Sequence, residues 1–150
     1  MVSQILACAG LALLLPLGLA WGEGEPIYGF LIPLVLAMGL SFLLKKQKIS
    51  PHTSLTPREG TAITALAWIS VSLLYSLPYS LSGLLSPLDG LVESISGLTG
   101  TGATVIDDLT LVPPSFLFFR SLTHWIGGLG IIVIFVALFP QAGRGTTKMV

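Results

Sequence analysis

Four long apolar runs constrain this chain more than anything else in its sequence. Residues 5–21, 27–44 and 61–85 contain no Asp, Glu, Lys or Arg, and residues 114–139 contain only Arg120. Crossing the hydrocarbon of a bilayer takes about 20 helical residues at ~1.5 Å each. All four runs are long enough. Lipid offers no hydrogen bonds to a bare backbone, so each run must pair its own amides and carbonyls, as a helix does. Composition agrees: charged residues make up 9% of the 150 and hydrophobic residues 53%, where a soluble domain carries about 25% charge. The expected class is an all-α integral membrane protein.

Residues 5–21 also have the length of a secretory signal peptide, with Leu19-Ala20 followed by polar residues. A signal peptide opens on a basic segment, and residues 1–10 hold no Lys or Arg, so the run is taken as a retained helix. The chain's formal net charge is zero, which offers nucleic acid no basic surface. Cys8 is the single cysteine, and His52 and His124 lack ligand spacing, so neither a disulfide nor a zinc centre is expected. An intramembrane hydrolase would need a nucleophile and a base brought together. Ser121, Thr123 and His124 are neighbours on one helix with no second-helix partner. The chain is not expected to be an enzyme, and no cofactor is expected.

The few charges set the orientation. Lys45, Lys46, Lys48 and Arg58 lie between the second and third runs, and Arg144 and Lys148 follow the fourth, which places six of the seven basic residues on one side. Glu23, Glu25, Asp89, Glu93, Asp107 and Asp108, six of the seven acids, fall on the other. Cytoplasmic loops accumulate Lys and Arg near span ends, so the N-terminus, the 45–60 loop and the C-terminus are expected in the cytoplasm.

Residues 86–113 then face outward, and they are not a simple loop. Ser86-Pro87-Leu88-Asp89 reads as a helix start, with a capping serine, proline at the first helical position and an acid at the positive end of the dipole. A helix over 87–98 spans about 18 Å, roughly half a bilayer, so it enters without crossing. Leu88, Leu91, Val92 and Ile95 give it one apolar face. Gly97, Gly100 and Gly102 favour ending it, and Thr99, Thr101 and Thr104 alternate with small residues beyond. Irregular backbone at membrane depth survives only when buried in protein or lining a watery cavity. Carbonyls along such a strand can replace the water shell of a cation. The half-helix aims its negative end at the same place, and Asp107 and Asp108 would concentrate cations at the outer mouth. A plain turn between two helices is the alternative. The segment lacks the Lys-Ser/Thr of a P-loop and the third glycine of a dinucleotide fingerprint. Arg120, about one and a half turns into the fourth run, either pairs with Glu93 behind the strand or snorkels to the interface. Gly127, Gly128 and Gly130 allow close backbone approach, as against the pore helix.

The segment Glu93-Ser94-Ile95-Ser96-Gly97-Leu98-Thr99-Gly100-Thr101-Gly102-Ala103-Thr104, with Arg120-Ser121-Leu122-Thr123-His124-Trp125-Ile126-Gly127-Gly128-Leu129-Gly130 after it, closely resembles the Trk/Ktr potassium-uptake transporter family, TrkH-type. The likeness is dense over residues 77–140 and rests on helix count over 1–60. It implies two leading transmembrane helices with a basic loop (1–60), then one pore repeat (61–150). That repeat comprises an outer helix (61–85), a re-entrant pore helix (87–98), a filter loop (99–105) and an inner helix (114–139). The family has four such repeats. Potassium, the transported ion, would sit on backbone carbonyls of Gly100, Thr101 and Gly102, with Thr99, Ala103, Thr104, Glu93 and Arg120 in support. A bacterial or archaeal cell (inner) membrane is implied, as is a cytoplasmic nucleotide-binding TrkA-like regulatory partner. The family often has Thr where this chain has Gly100, which implies a more flexible loop. One repeat cannot surround an ion. The chain is therefore expected to act with the remaining repeats, on the same longer polypeptide or on other subunits. The alternative is a truncated, non-conducting adaptor or assembly partner of a longer pore protein.

Overall fold

The computed structural model describes residues 2–46 and 57–142, with side chains for 2–46 and 59–132. Every regular element among them is helical, and the all-α membrane class holds. Among the described residues three stretches are long and apolar enough to cross a bilayer: Val2–Gly22, Tyr28–Lys46 and Glu59–Leu81.

The first of these is broken. Helix α1 covers Val2–Ala12 and α2 covers Leu14–Gly22. Pro16 has no N–H to return to the Ala12 carbonyl, and its ring crowds that carbonyl. The Leu13 N–H turns instead to Gly10 O at 3.0 Å. That leaves the Ala9 carbonyl open, and the Tyr75 hydroxyl donates to it at 3.1 Å. The uncharged run 5–21 thus forms one span in two segments, with a neighbouring helix supplying the missing hydrogen bond.

Helix α3 (Tyr28–Lys46) returns beside α1. A Cβ on Gly10 would lie 2.8 Å from the Ala37 Cβ, so small residues let these backbones meet closely. The Ser41 hydroxyl donates to Ser3 O at 2.6 Å. Lys45 and Lys46 close the helix, where cations suit the dipole. The side chains of Lys48, Arg58, Arg144 and Lys148 lie outside the described residues.

Helix α4 (Pro57–Leu81) packs against α3 and against α5 (Pro87–Thr99), which in turn lies on α6 (Pro114–Ala142). A 3₁₀ turn at Leu109–Leu111 precedes α6. At 13 residues, α5 is about 20 Å long, too short for hydrocarbon about 30 Å thick. An aromatic cluster of Phe30, Tyr75, Tyr79, Phe116 and Phe119 joins α3, α4 and α6, with ring centroids 4.7–5.7 Å apart.

Helix α5 is inside-out by the standards of a soluble protein. It buries Gly90, Glu93, Ser94, Ser96, Gly97 and Leu98, while Leu88, Val92 and Ile95 of its apolar face are exposed. The small, polar face permits unusually close packing. A Cβ on Gly90 would stand 3.1 Å from Ser76 O, one on Gly97 would strike the Thr123 side chain, and one on Gly127 would strike the Leu98 carbonyl. The buried hydroxyls find partners, as Ser94 does on Ser72 O at 2.6 Å.

Candidate ion site

The site begins where α5 stops. Ser86 caps the helix start, its Oγ accepting the Asp89 N–H at 3.2 Å. At the other end Gly100 takes the left-handed conformation, φ 71° and ψ 13°. Its N–H reaches Gly97 O and the Thr101 N–H reaches Ser96 O, both at 3.1 Å. This crossed pair satisfies the last carbonyls of the helix. Gly100, where the family likeness implies a more flexible loop, sits in this hydrogen-bonded cap. Gly102 is also left-handed, at φ 75°, and the chain then runs back along α5, with Ala103 beside Ser96 and Thr104 beside Glu93.

Three side chains hold that returning strand. The Ser96 hydroxyl donates to Ala103 O at 2.5 Å, drawing this carbonyl inward. Glu93, fully buried, accepts the Thr104 hydroxyl at 3.0 Å and the Val105 N–H at 3.1 Å on Oε2. Its Oε1 accepts Arg120 Nε at 2.5 Å, and the Arg120 side chain is 18% exposed. Of the two alternatives for Arg120, the ion pair is the one observed. One carboxylate thus links α5, the strand and α6. Thr99 Oγ1 donates to Ile95 O at 2.8 Å and sits 2.8 Å from Thr101 Oγ1.

Residues 99–104 are exposed, and among the described residues the carbonyls of Gly100, Thr101 and Gly102 accept no hydrogen bond. Free carbonyls beside a helix C-terminus form a negative, uncharged surface suited to a weakly held cation. Outside it, Asp108 Oδ1 accepts the Thr110 hydroxyl at 2.7 Å and its N–H at 2.8 Å. These bonds hold the Asp108 carboxyl below the usual carboxylate range, so it is ionised at neutral pH. Asp107 is exposed beside it.

The structure brings Gly100, Thr101, Gly102, Thr99, Ala103, Thr104, Glu93 and Arg120 into one neighbourhood. Sequence reasoning misses Ser96, although a serine seven residues before a small residue across a tight turn is a usable signal. The contact between Glu25 and Ser115, 90 residues apart, leaves no local signal at all. Ser121, Thr123 and His124 each bond backbone carbonyls of their own helix, at Leu117 and Arg120. Among the described residues no group of three His, Cys, Asp or Glu is placed to hold a metal ion.

Known proteins supply the family. The family described as TrkH, cation transport protein, matches residues 28–150. The chain is 41% identical over 118 residues to the Trk system potassium uptake protein TrkH of Halomonas elongata, covering 77% of this chain and 24% of that protein. It is 38% identical over 122 residues to the Trk system potassium uptake proteins TrkG and TrkH of Escherichia coli, covering 80% of this chain and 24% of each. The chain therefore spans about a quarter of the length of these curated relatives. No solved structure matches it. With a family match over most of its length and these relatives beside it, this membrane chain belongs to the TrkH cation transport protein family.

Proposed function

We propose that this chain supplies one of four selectivity-filter strands of a potassium-uptake pore. The carbonyls of Gly100, Thr101 and Gly102 are the ion ligands. Thr99, Ala103, Thr104, Glu93 and Arg120 hold the strand in place. The observation that carries this is that three consecutive carbonyls at the end of a short helix accept no hydrogen bond among the described residues, in a segment tied back by a buried Glu93. Its support for potassium comes from the relatives, which are named for potassium uptake.

One strand touches only one side of an ion, so three more must complete the ring. The exposed stripe of Leu88, Val92 and Ile95 on α5 fits a pore helix that has apolar neighbours in such an assembly. The helix over residues 87–99 is re-entrant in this arrangement and the strand rises from mid-membrane to the outer face. The N-terminus then lies in the cytoplasm of a bacterial or archaeal cell, where a TrkA-like regulatory subunit would dock. The protein's work is ion passage rather than catalysis.

The test is growth on limiting potassium, in cells stripped of their own uptake systems and supplied with this chain and the remaining repeats. Gly102→Leu forces a branched side chain to φ 75°, a conformation costing roughly 1–3 kcal/mol, and should abolish growth at normal protein abundance. Unaltered uptake would sink the filter assignment. Co-purification with a longer pore protein whose flux ignores Gly102 would point instead to an adaptor.

A further inference from the structure

The pore repeat is joined to the leading helices by a contact that ion passage by itself does not require. Helix α2 ends in a crossed hydrogen-bond pair, Gly24 N to Trp21 O at 3.3 Å and Glu25 N to Ala20 O at 2.8 Å. That pair fixes the backbone of Glu25 at the outer end of the leading hairpin. Its carboxylate reaches the first turn of α6. Oε1 accepts the Ser115 N–H at 3.4 Å, and Oε2 accepts the Ser115 hydroxyl in a very short contact. Pro114 opens α6 and has no N–H, so Ser115 carries the first amide with no partner inside the helix. Ser115 is fully buried. A carboxylate at this position both satisfies that amide and complements the positive end of the dipole. Glu25 is in effect the cap of a helix whose first amide lies 90 residues later.

The same helix carries Arg120 five residues on, roughly 7.5 Å along the axis. Arg120 meets Glu93, and Glu93 meets Thr104 and Val105. α6 is a rigid element over that distance, so a displacement of its first turn moves the guanidinium, and with it the carboxylate that anchors the strand. We infer that Glu25 is a positioning residue for the filter strand, acting through Ser115 and the start of α6, so that the leading hairpin sets ion discrimination rather than merely anchoring the chain. This inference rests on the filter assignment above.

Residues that orient the ligands of a bound metal typically change its affinity about 10–100-fold when removed. In the assembled transporter, Glu25→Ala should lower the preference for potassium over sodium about tenfold, measured per transporter at matched abundance in the membrane. Glu25→Gln, which keeps an acceptor for the amide and the hydroxyl, should recover most of that loss. Ser115→Ala should lower the ratio too, and the Glu25→Ala/Ser115→Ala double variant should do no worse than Glu25→Ala alone. An unchanged ratio in Glu25→Ala, or additive effects in the double variant, would overturn the proposal. Gly102→Leu in the same assay separates the two ideas. If that variant abolishes uptake while Glu25→Ala keeps the native ratio, the filter stands and the brace falls. If neither substitution matters, the filter assignment has failed first.

Discussion

Glu93 does the work of three residues, and its position explains why it is charged. A neutral side chain accepts fewer strong hydrogen bonds, and here an amide, a hydroxyl and a guanidinium converge on one buried group. Burying a carboxylate is costly unless it is paired and hydrogen-bonded, and every oxygen here is used. Glu93→Ala should therefore destabilise the chain by about 3 kcal/mol, the low end for a broken buried pair, because Arg120 keeps 18% of its side chain exposed. Glu93→Gln should cost less and still impair ion passage. Thermal unfolding in detergent reads the first effect and potassium flux the second; full flux in both variants would remove Glu93 from the site. The glycines and threonines of the strand are legible in the sequence because their chemistry is local. The pairing of Glu93 with Arg120 is there only as one of two alternatives, since nothing in a sequence fixes which way a long side chain reaches across helices.

Helix α5 is held by absence of side chains as much as by contacts. Gly127 lets α6 rest on the Leu98 backbone of α5, and Gly97 makes room on α5 for the Thr123 side chain. Gly127→Ala should push the two helices apart at the foot of the strand, at a cost of roughly 1–3 kcal/mol from overpacking. On α3, a Cβ added to Gly39 would meet nothing within 4 Å, and Gly39→Ala should be neutral or stabilising by up to about 1 kcal/mol. Thermal midpoints of the two variants, compared with the parent, check this; equal midpoints would mean that α5 and α6 can slide apart freely. Apolar spacing reveals that α5 has one greasy face, but cannot say that this face points outward. Periodicity identifies a face without naming its solvent, and in a membrane the small polar face can be the packed one.

For the molecule as a whole, hydropathy exposes the spans because lipid imposes one rule on every residue that crosses it. The break at Leu13 is hidden within that rule: a single run of apolar residues does not tell which carbonyl loses its helical donor, nor which distant residue will answer it. Tyr75 answers it at Ala9. Tyr75→Phe keeps the aromatic packing and removes only the hydroxyl, so it should cost roughly 1–3 kcal/mol for a buried carbonyl left alone, visible as a lower unfolding midpoint. An unshifted midpoint would mean that the carbonyl finds another donor. The same bond bears on the order of synthesis. Ala9 leaves the ribosome 66 residues ahead of Tyr75, which at 5–20 residues per second is an interval of roughly 3–13 s. During that interval the first span must rest in or beside the translocation machinery with the Ala9 carbonyl unanswered by Tyr75, and it reaches its final form only when a helix made much later arrives to complete it.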